Sequence, residues 1–193
     1  MFWASRAEKN KDYEITDVIE PDEWHQNVSN GAYTNYMAKR NIQTALQTLE
    51  WLKTIDPAKA SALTTQLELN DQRLAHWQDV QKHLRISQDK KTGLFEQFEG
   101  FFKLATLNQK QYKMRNISYQ DILGIYEVKK YQIIKQADVL MLLTVLDQEF
   151  DHQVKKVNWD YYCPITDHDY GSSLTPALHV ILASELGLLT LSS

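Results

Sequence analysis

Apolar residues return at helical spacing in one stretch of this sequence after another, and no stretch of comparable length alternates apolar with polar residues. Between residues 32 and 55, Ile42, Ala45, Leu46, Leu49 and Leu52 fall on one face of a helix. Asp56-Pro57 ends that segment, because a residue before proline avoids the α region, and Pro57 suits the first turn of a following helix. From Asn70 to Leu84, the residues Leu74, Trp77, Val80 and Leu84 form a second inward face. Gln136 to Phe150 is apolar nearly all the way round, which predicts an inner helix covered on several sides. Thr175-Pro176 reads as an N-cap followed by a first-turn proline, with Leu178, Ile181, Leu182 and Leu186 as the buried stripe. Polar and aromatic connections at 20–30, 90–102 and 158–173 separate these segments. The fold class read from this pattern is all-α.

Composition narrows the function. With 193 residues the chain has room for one domain of ordinary size, and 43% hydrophobic against 24% charged residues excludes wholesale disorder. A net charge of −4 argues against a nucleic-acid partner, which calls for a clustered basic excess. The most apolar run, Val139 to Leu146, is far shorter than the roughly 20 residues that span a bilayer, so no membrane partner is expected. The start lacks the apolar stretch of a signal peptide, and the single cysteine, Cys163, forms no internal disulfide. A cytoplasmic location is the expectation.

Chemistry concentrates in the connections. Glu20, Asp22, Glu23 and His25 surround Trp24 immediately before a helix. This is either a solvated acidic loop or the seat of a general acid, whose pKa a neighbouring indole would raise by desolvation. Lys135-Gln136-Ala137-Asp138 either opens a helix or sends a pair of long donors into a cleft. The segment from Thr166 to Thr175 is either a helix cap in a turn or an anion site made by free N–H groups and hydroxyls. Asp167 and Asp169 would repel phosphate there, and they offer a second carboxylate for acid/base work. The histidines at 25, 76, 83, 152, 168 and 179 make no short ligand cluster, so no metal site is expected. No nucleotide-binding glycine pattern occurs. A Ser-His-Asp triad stays open, without a Gly-x-Ser-x-Gly elbow to support it.

In order along the chain, these segments resemble glycoside hydrolase family 65, the group of maltose, trehalose and kojibiose phosphorylases and some α-glucoside hydrolases. Phe2-Trp3-Ala4-Ser5-Arg6 is similar to the family's Phe-Trp-x-x-Arg, and Pro21-Asp22-Glu23-Trp24-His25 to its Gly-Pro-Asp-Glu-Tyr-His. Asn30-Gly31-Ala32-Tyr33-Thr34-Asn35 stands for Asn-Asn-Ala-Tyr-Thr-Asn, and Gln97-Phe98-Glu99-Gly100-Phe101 for Gln-Phe-x-Gly-Tyr. Lys135-Gln136-Ala137-Asp138-Val139 matches Lys-Gln-Ala-Asp-Val, and Ser172-Ser173-Leu174-Thr175 resembles Ser-Ser-Leu-Ser.

The resemblance implies part of an (α/α)6 barrel, roughly its later half and incomplete at both ends, with the family's N-terminal β-sandwich and C-terminal domain outside residues 1–193. It implies Glu23 as general acid, with Lys135, Gln136 and Trp24 binding an α-linked glucose disaccharide or oligosaccharide, and inversion at the anomeric carbon. No cofactor is implied, and a homodimer is expected of the full-length protein. Phosphorylases of the family carry Thr-x-His-Asp-Ser-Ser-Leu-Ser, which assigns His168, Ser172 and Ser173 to phosphate if phosphate is the co-substrate. Here two residues are added before the serines, and Glu20 replaces the glycine before Pro21. Glu20 then either raises the pKa of Glu23 by its charge or points to solvent. The carboxylates favour hydrolysis, with Asp167 or Asp169 as the base for water. The alternative is an inverting phosphorylase releasing β-glucose 1-phosphate, and a further alternative is an inactive carbohydrate-binding or structural remnant.

Overall fold

A computed structural model describes residues 2–188. The chain divides into two units, one made of residues up to 16 together with 34–86, the other of 17–33 together with residues from 87 onward.

In the first unit, α1 (Phe2–Arg6) packs on α4 (Asp71–His83). A short antiparallel ribbon pairs β1 (Glu8–Lys9) with β2 (Tyr13–Glu14). Helix α2 (Ala32–Ile55), which belongs to this unit from residue 34 onward, buries Ala38, Ile42 and Leu49 along the face set by its periodicity. Helix α3 (Pro57–Gln66) starts where Asp56-Pro57 predicts, and the Asp56 carboxylate accepts from Lys59 N at 2.9 Å. Asn70 caps α4 in the same way, through Arg73 N at 2.9 Å, and Trp77 and Val80 face the core.

The second unit holds α5 (Tyr119–Leu123), α6 (Ile125–Val128), α7 (Asp138–Val145), α8 (His152–Tyr162) and α9 (Leu174–Glu185). As its composition predicts, α7 is buried on several sides, and both α8 and α9 pack against it. It is shorter than the apolar run suggests: after Val145 the chain makes a tight turn at Asp147–Glu149, and the Asp151 carboxylate caps the next helix through Val154 N at 2.8 Å.

That next helix, α8, falls partly inside a segment read as a connection. Its buried residues are Lys155, Asn158 and Tyr162, so hydrophobic periodicity does not mark it. Polar bonds replace the apolar stripe. Asn158 accepts from Phe95 N at 3.0 Å and donates to Gly93 O at 3.0 Å, while the Tyr162 hydroxyl donates to Phe95 O at 2.6 Å. Lys155 is paired with Asp147 and, at 2.9 Å, with Glu185.

Helix α9 begins one residue ahead of the Thr175 cap read from the sequence. Thr175 and Pro176 lie in its first turn, and the Thr175 hydroxyl donates to Lys135 O at 3.1 Å. Its buried stripe is Thr175, His179, Leu182, Ala183 and Leu186, while Ile181 faces outward. Among the described residues no helix is long and apolar enough to cross a membrane.

Candidate active site

Residues 17–30 form a loop closed at its neck by the reciprocal backbone bonds of Val18 and Val28, both 3.0 Å. Asp17, Asn27 and Asn30 take φ values of 55°, 58° and 55°, left-handed turns that Asp and Asn tolerate better than other non-glycine residues. A side-chain bond from Asn27 Nδ2 to Asp17 Oδ1 (2.5 Å) adds a second clasp. Within this frame the side chains sort sharply. Glu20, Asp22, Trp24 and His25 are buried, whereas the Glu23 side chain is 58% exposed.

Asp22 organises the loop's interior. Its Oδ1 accepts from Trp24 N (3.3 Å) and Lys135 N (3.0 Å), and its Oδ2 from Gln97 Nε2 (3.0 Å). His25 Nδ1 lies 2.6 Å from the same Oδ2, and its Nε2 lies 3.1 Å from Tyr131 O. One buried carboxylate thus ties the acidic loop to the segment that carries Lys135. Sequence reasoning missed Asp22 and Gln97 as supports, although both stand in the quoted motifs.

The outcome is that Glu23, Lys135 and Gln136 meet. Lys135 Nζ forms an ion pair with Glu23 Oε2, and Gln136 Nε2 donates to the same oxygen at 3.4 Å. Among the described residues the buried Gln136 Oε1 has no hydrogen-bond partner. These bonds, Lys135 first and then Gln136, together with the Lys135 charge, hold the Glu23 carboxyl below its ordinary value. This corrects the expectation of a carboxyl raised by an indole. Trp24 turns inward, 1% exposed, into a cluster with Leu107, Tyr119, Val128 and Ile133, and its ring meets Tyr119 edge-on at 6.3 Å. A side chain so buried is core rather than a sugar platform, and truncating it would cost about 3–5 kcal/mol.

Glu20 does not point to solvent. It is 2% exposed and lies directly against Gly31. With Asp22 it faces Asp138, fully buried at the start of α7. Burial, and then the charges of Asp22 and Glu20, push the Asp138 carboxyl well above its ordinary value.

The segment from Thr166 to Thr175 is clipped to the backbone of Ile134 and Lys135. Ile134 N donates to Ile165 O and Asp167 N to Ile134 O, both at 2.9 Å. Gly171 is required at this contact, since a Cβ there would lie 2.4 Å from Asp167 O and 3.0 Å from Lys135 O. Ser172 and Ser173 therefore follow a turn anchored next to Lys135. The Ser172 hydroxyl accepts from Leu174 N at 3.3 Å, and Ser173 occupies the N-cap position of α9 without a side-chain cap bond.

Of the two candidate bases, Asp167 is already engaged and Asp169 is left in solvent. Asp167 is buried and held by two bonds from Arg115, Nη2 to Oδ1 at 2.5 Å and Nη1 to Oδ2 at 3.2 Å, and it also accepts from Tyr170 N at 3.1 Å. Asp169 is 76% exposed and lies 3.7 Å from the same guanidinium. Arg115 stacks over Tyr119 (4.0 Å) and Tyr170 (4.9 Å), and no sequence signal marks it. A cavity of about 520 Å³ beside Asp169 is lined by Lys110, Lys113 and Arg115 among others. The loop is therefore not the anion-repelling surface that its own carboxylates suggest. His168 is turned towards Cys163 and His179: its Nε2 lies 2.8 Å from Cys163 O, and the two histidine rings meet at 4.7 Å.

The family model of the glycosyl hydrolase family 65 central catalytic domain matches residues 1–193. A kojibiose phosphorylase of Caldanaerobacter subterraneus subsp. tengcongensis is 37% identical over 190 residues, covering 96% of this chain and 24% of that protein. A nigerose phosphorylase of Lachnoclostridium phytofermentans is 37% identical over 187 residues, covering 94% of this chain and 24% of that protein. The chain thus spans about a quarter of the length of these curated relatives. A solved structure of a kojibiose phosphorylase-like protein from the human microbiome superposes with a TM-score of 0.85 at 32% identity, covering 97% of this chain and 26% of that one. An all-α chain forming part of an (α/α)6 barrel is borne out.

Proposed function

We propose, for a chain that belongs to glycosyl hydrolase family 65, that the protein carrying it is an inverting disaccharide phosphorylase. Glu23 protonates the glycosidic oxygen of an α-linked glucose disaccharide while inorganic phosphate attacks the anomeric carbon from the opposite face. The carbon–oxygen bond to the leaving sugar breaks, a new one forms to phosphate, and the leaving sugar departs as a free alcohol. The phosphate proton returns to Glu23, so β-glucose 1-phosphate and the acceptor sugar are the products.

The observation that carries this reading is the meeting of Glu23 with Lys135 and Gln136 at the exposed tip of an otherwise buried loop. In the free protein those donors stabilise the carboxylate. When sugar hydroxyls draw the donors away and the sugar covers Glu23 from water, its pKa rises and it holds a proton for donation. Gln136 brings to the same place an Oε1 without a partner among the described residues, suited to accept from a sugar hydroxyl.

The hydrolytic preference is given up for a physical reason. Asp167, offered as the base for water, spends both oxygens on Arg115, and Asp169 lies beside a cation-lined cavity. Phosphate brings its own nucleophilic oxygen and needs no protein base. The names of the relatives point the same way.

Incubation with kojibiose or nigerose, with and without inorganic phosphate, tests the proposal. Phosphate-dependent glucose 1-phosphate, of β configuration by proton NMR, is the expected product. Free glucose formed at the same rate without phosphate would replace this reading by hydrolysis. Disaccharide binding in titration calorimetry without either product would replace it by an inactive binding module.

A further inference from the structure

Cys163 opens the turn after α8, His168 stands in the following loop, and His179 lies one turn and more along α9. The spacing Cys-x4-His-x10-His matches no familiar ligand pattern, which is why the sequence alone gives no metal site. The fold brings one ligand atom from each within 4.8 Å of the others. Cys163 Sγ and His168 Nε2 are 3.8 Å apart. In a tetrahedral site with metal–sulfur and metal–nitrogen bonds of about 2.3 and 2.0 Å, neighbouring ligand atoms stand roughly 3.3–3.8 Å apart.

The decisive feature is His179. Its Nδ1 lies 2.8 Å from Thr175 O, an acceptor, so this nitrogen carries the proton. Nε2 is then the lone-pair nitrogen, and it is buried with no hydrogen-bond partner among the described residues. The side chain belongs to a residue only 6% exposed, and Trp159 flanks its ring at 5.4 Å. A buried imidazole fixed by a backbone carbonyl through one nitrogen, with the other left open, is the arrangement that orients a metal-bound histidine. Cys163 is half-buried and His168 exposed, so an ion can enter from solvent. His168 Nε2 lies 2.8 Å from Cys163 O in the free chain, and binding exchanges that bond for coordination.

We propose that Cys163, His168 and His179 bind one zinc ion, with water in the remaining position. One thiolate and two imidazoles are the ligand set zinc favours over calcium or magnesium, which take oxygen. The bound ion ties the loop before Ser172-Ser173 to the face of α9. This site stands on its own geometry, does not rest on the phosphorylase reading, and gives His168 to the metal in place of the phosphate contact that the resemblance implies.

The test uses the reduced, chelator-treated chain, titrated with Zn²⁺ by calorimetry and with Co²⁺ by absorption. One ion per chain is expected, and Co²⁺ should give intense tetrahedral d–d bands with a thiolate charge-transfer band in the near ultraviolet. Cys163→Ser should remove the charge-transfer band, and His179→Gln should weaken Zn²⁺ binding roughly 10-fold or more. His168 is exposed, so His168→Gln leaves the core untouched and reads the site even if a buried substitution unfolds the chain. Zinc affinity unchanged in His168→Gln, or a weak octahedral cobalt spectrum without a thiolate band, overturns the proposal. Exposed His152→Gln serves as the control that should change nothing.

Discussion

The Glu20 side chain fills the space that a side chain at residue 31 would need: a Cβ on Gly31 would lie 1.9 Å from Glu20 Oε1 and 2.1 Å from its carboxyl carbon. The family pattern that the sequence resembles has glycine at the first of these positions and asparagine at the second, so the larger and smaller residues stand in the reverse order here. A carboxylate thereby enters the buried interior, within electrostatic reach of Asp138, as Asp22 also is. Gly31→Ala should destabilise the chain by about 1–3 kcal/mol in denaturant unfolding, the cost of overpacking. The double change Glu20→Gly with Gly31→Asn should recover most of the loss that Gly31→Asn causes alone. Additive effects in that cycle would show that the two residues do not share the space.

Asp167 and Arg115 make a second close pair, this one buried on both sides, with side-chain exposures of 0% and 8%. Removing the cation strands the carboxylate. Arg115→Met should therefore cost about 3–5 kcal/mol of stability, well beyond an exposed ion pair. Asp167→Asn should lower the melting temperature as well, and on the phosphorylase reading it leaves phosphate dependence in place. A stable Asp167→Asn protein that had lost only hydrolytic turnover would return Asp167 to the role of base.

These two pairs also mark where the sequence could be read and where it could not. Each of helices α2, α3 and α4 carries a local signal: a buried apolar stripe in α2, the Asp56 cap and Pro57 at the start of α3, and both a stripe and the Asn70 cap in α4. The conjunction of Glu23 with Lys135 and Gln136 came only from the resemblance, since no local spacing links positions 112 and 113 residues apart. Helix α8 escaped because Lys155 and Asn158 hold its inner face by polar bonds that no hydrophobic pattern records. Arg115 escaped because its partners, Asp167, Tyr119 and Tyr170, are brought to it by tertiary structure alone. The direction of the Glu23 pKa shift is illegible in the sequence for the same reason. Adjacency to Trp24 in sequence says nothing of which way each side chain turns.

Glu23→Gln should lower turnover of an unactivated α-glucoside roughly 100- to 10,000-fold, the usual weight of a general acid. The loss should shrink with a substrate whose leaving group needs no proton, such as a glucosyl fluoride. Equal losses on both substrates would deny Glu23 the proton-transfer role. Lys135→Met should lower kcat/KM as well, and in the free protein it should raise the Glu23 titration, followed by carbon-13 NMR of the labelled carboxyl, because the leading cause of its depression is gone. Stability should change little, since Glu23 is solvent-exposed and its ion pair is screened.

Asp138 gives the chain a pH dependence of opposite sign to that of a salt-bridged carboxylate. Its folded-state pKa stands well above the ordinary 3.8, through burial first and then the charges of Asp22 and Glu20. Between these values the folded chain keeps a proton that the unfolded chain has released, so the unfolded state binds fewer protons and stability falls as pH rises. The contribution is fully present below the unfolded value and disappears as pH passes the folded one. Asp138→Asn carries the neutral form at every pH and should remove that slope. Thermal melts of both proteins from pH 4 upward provide the check: the wild type's midpoint should fall progressively relative to the variant's as pH rises. A constant difference between the two would mean that Asp138 releases its proton in the fold as readily as in the unfolded chain.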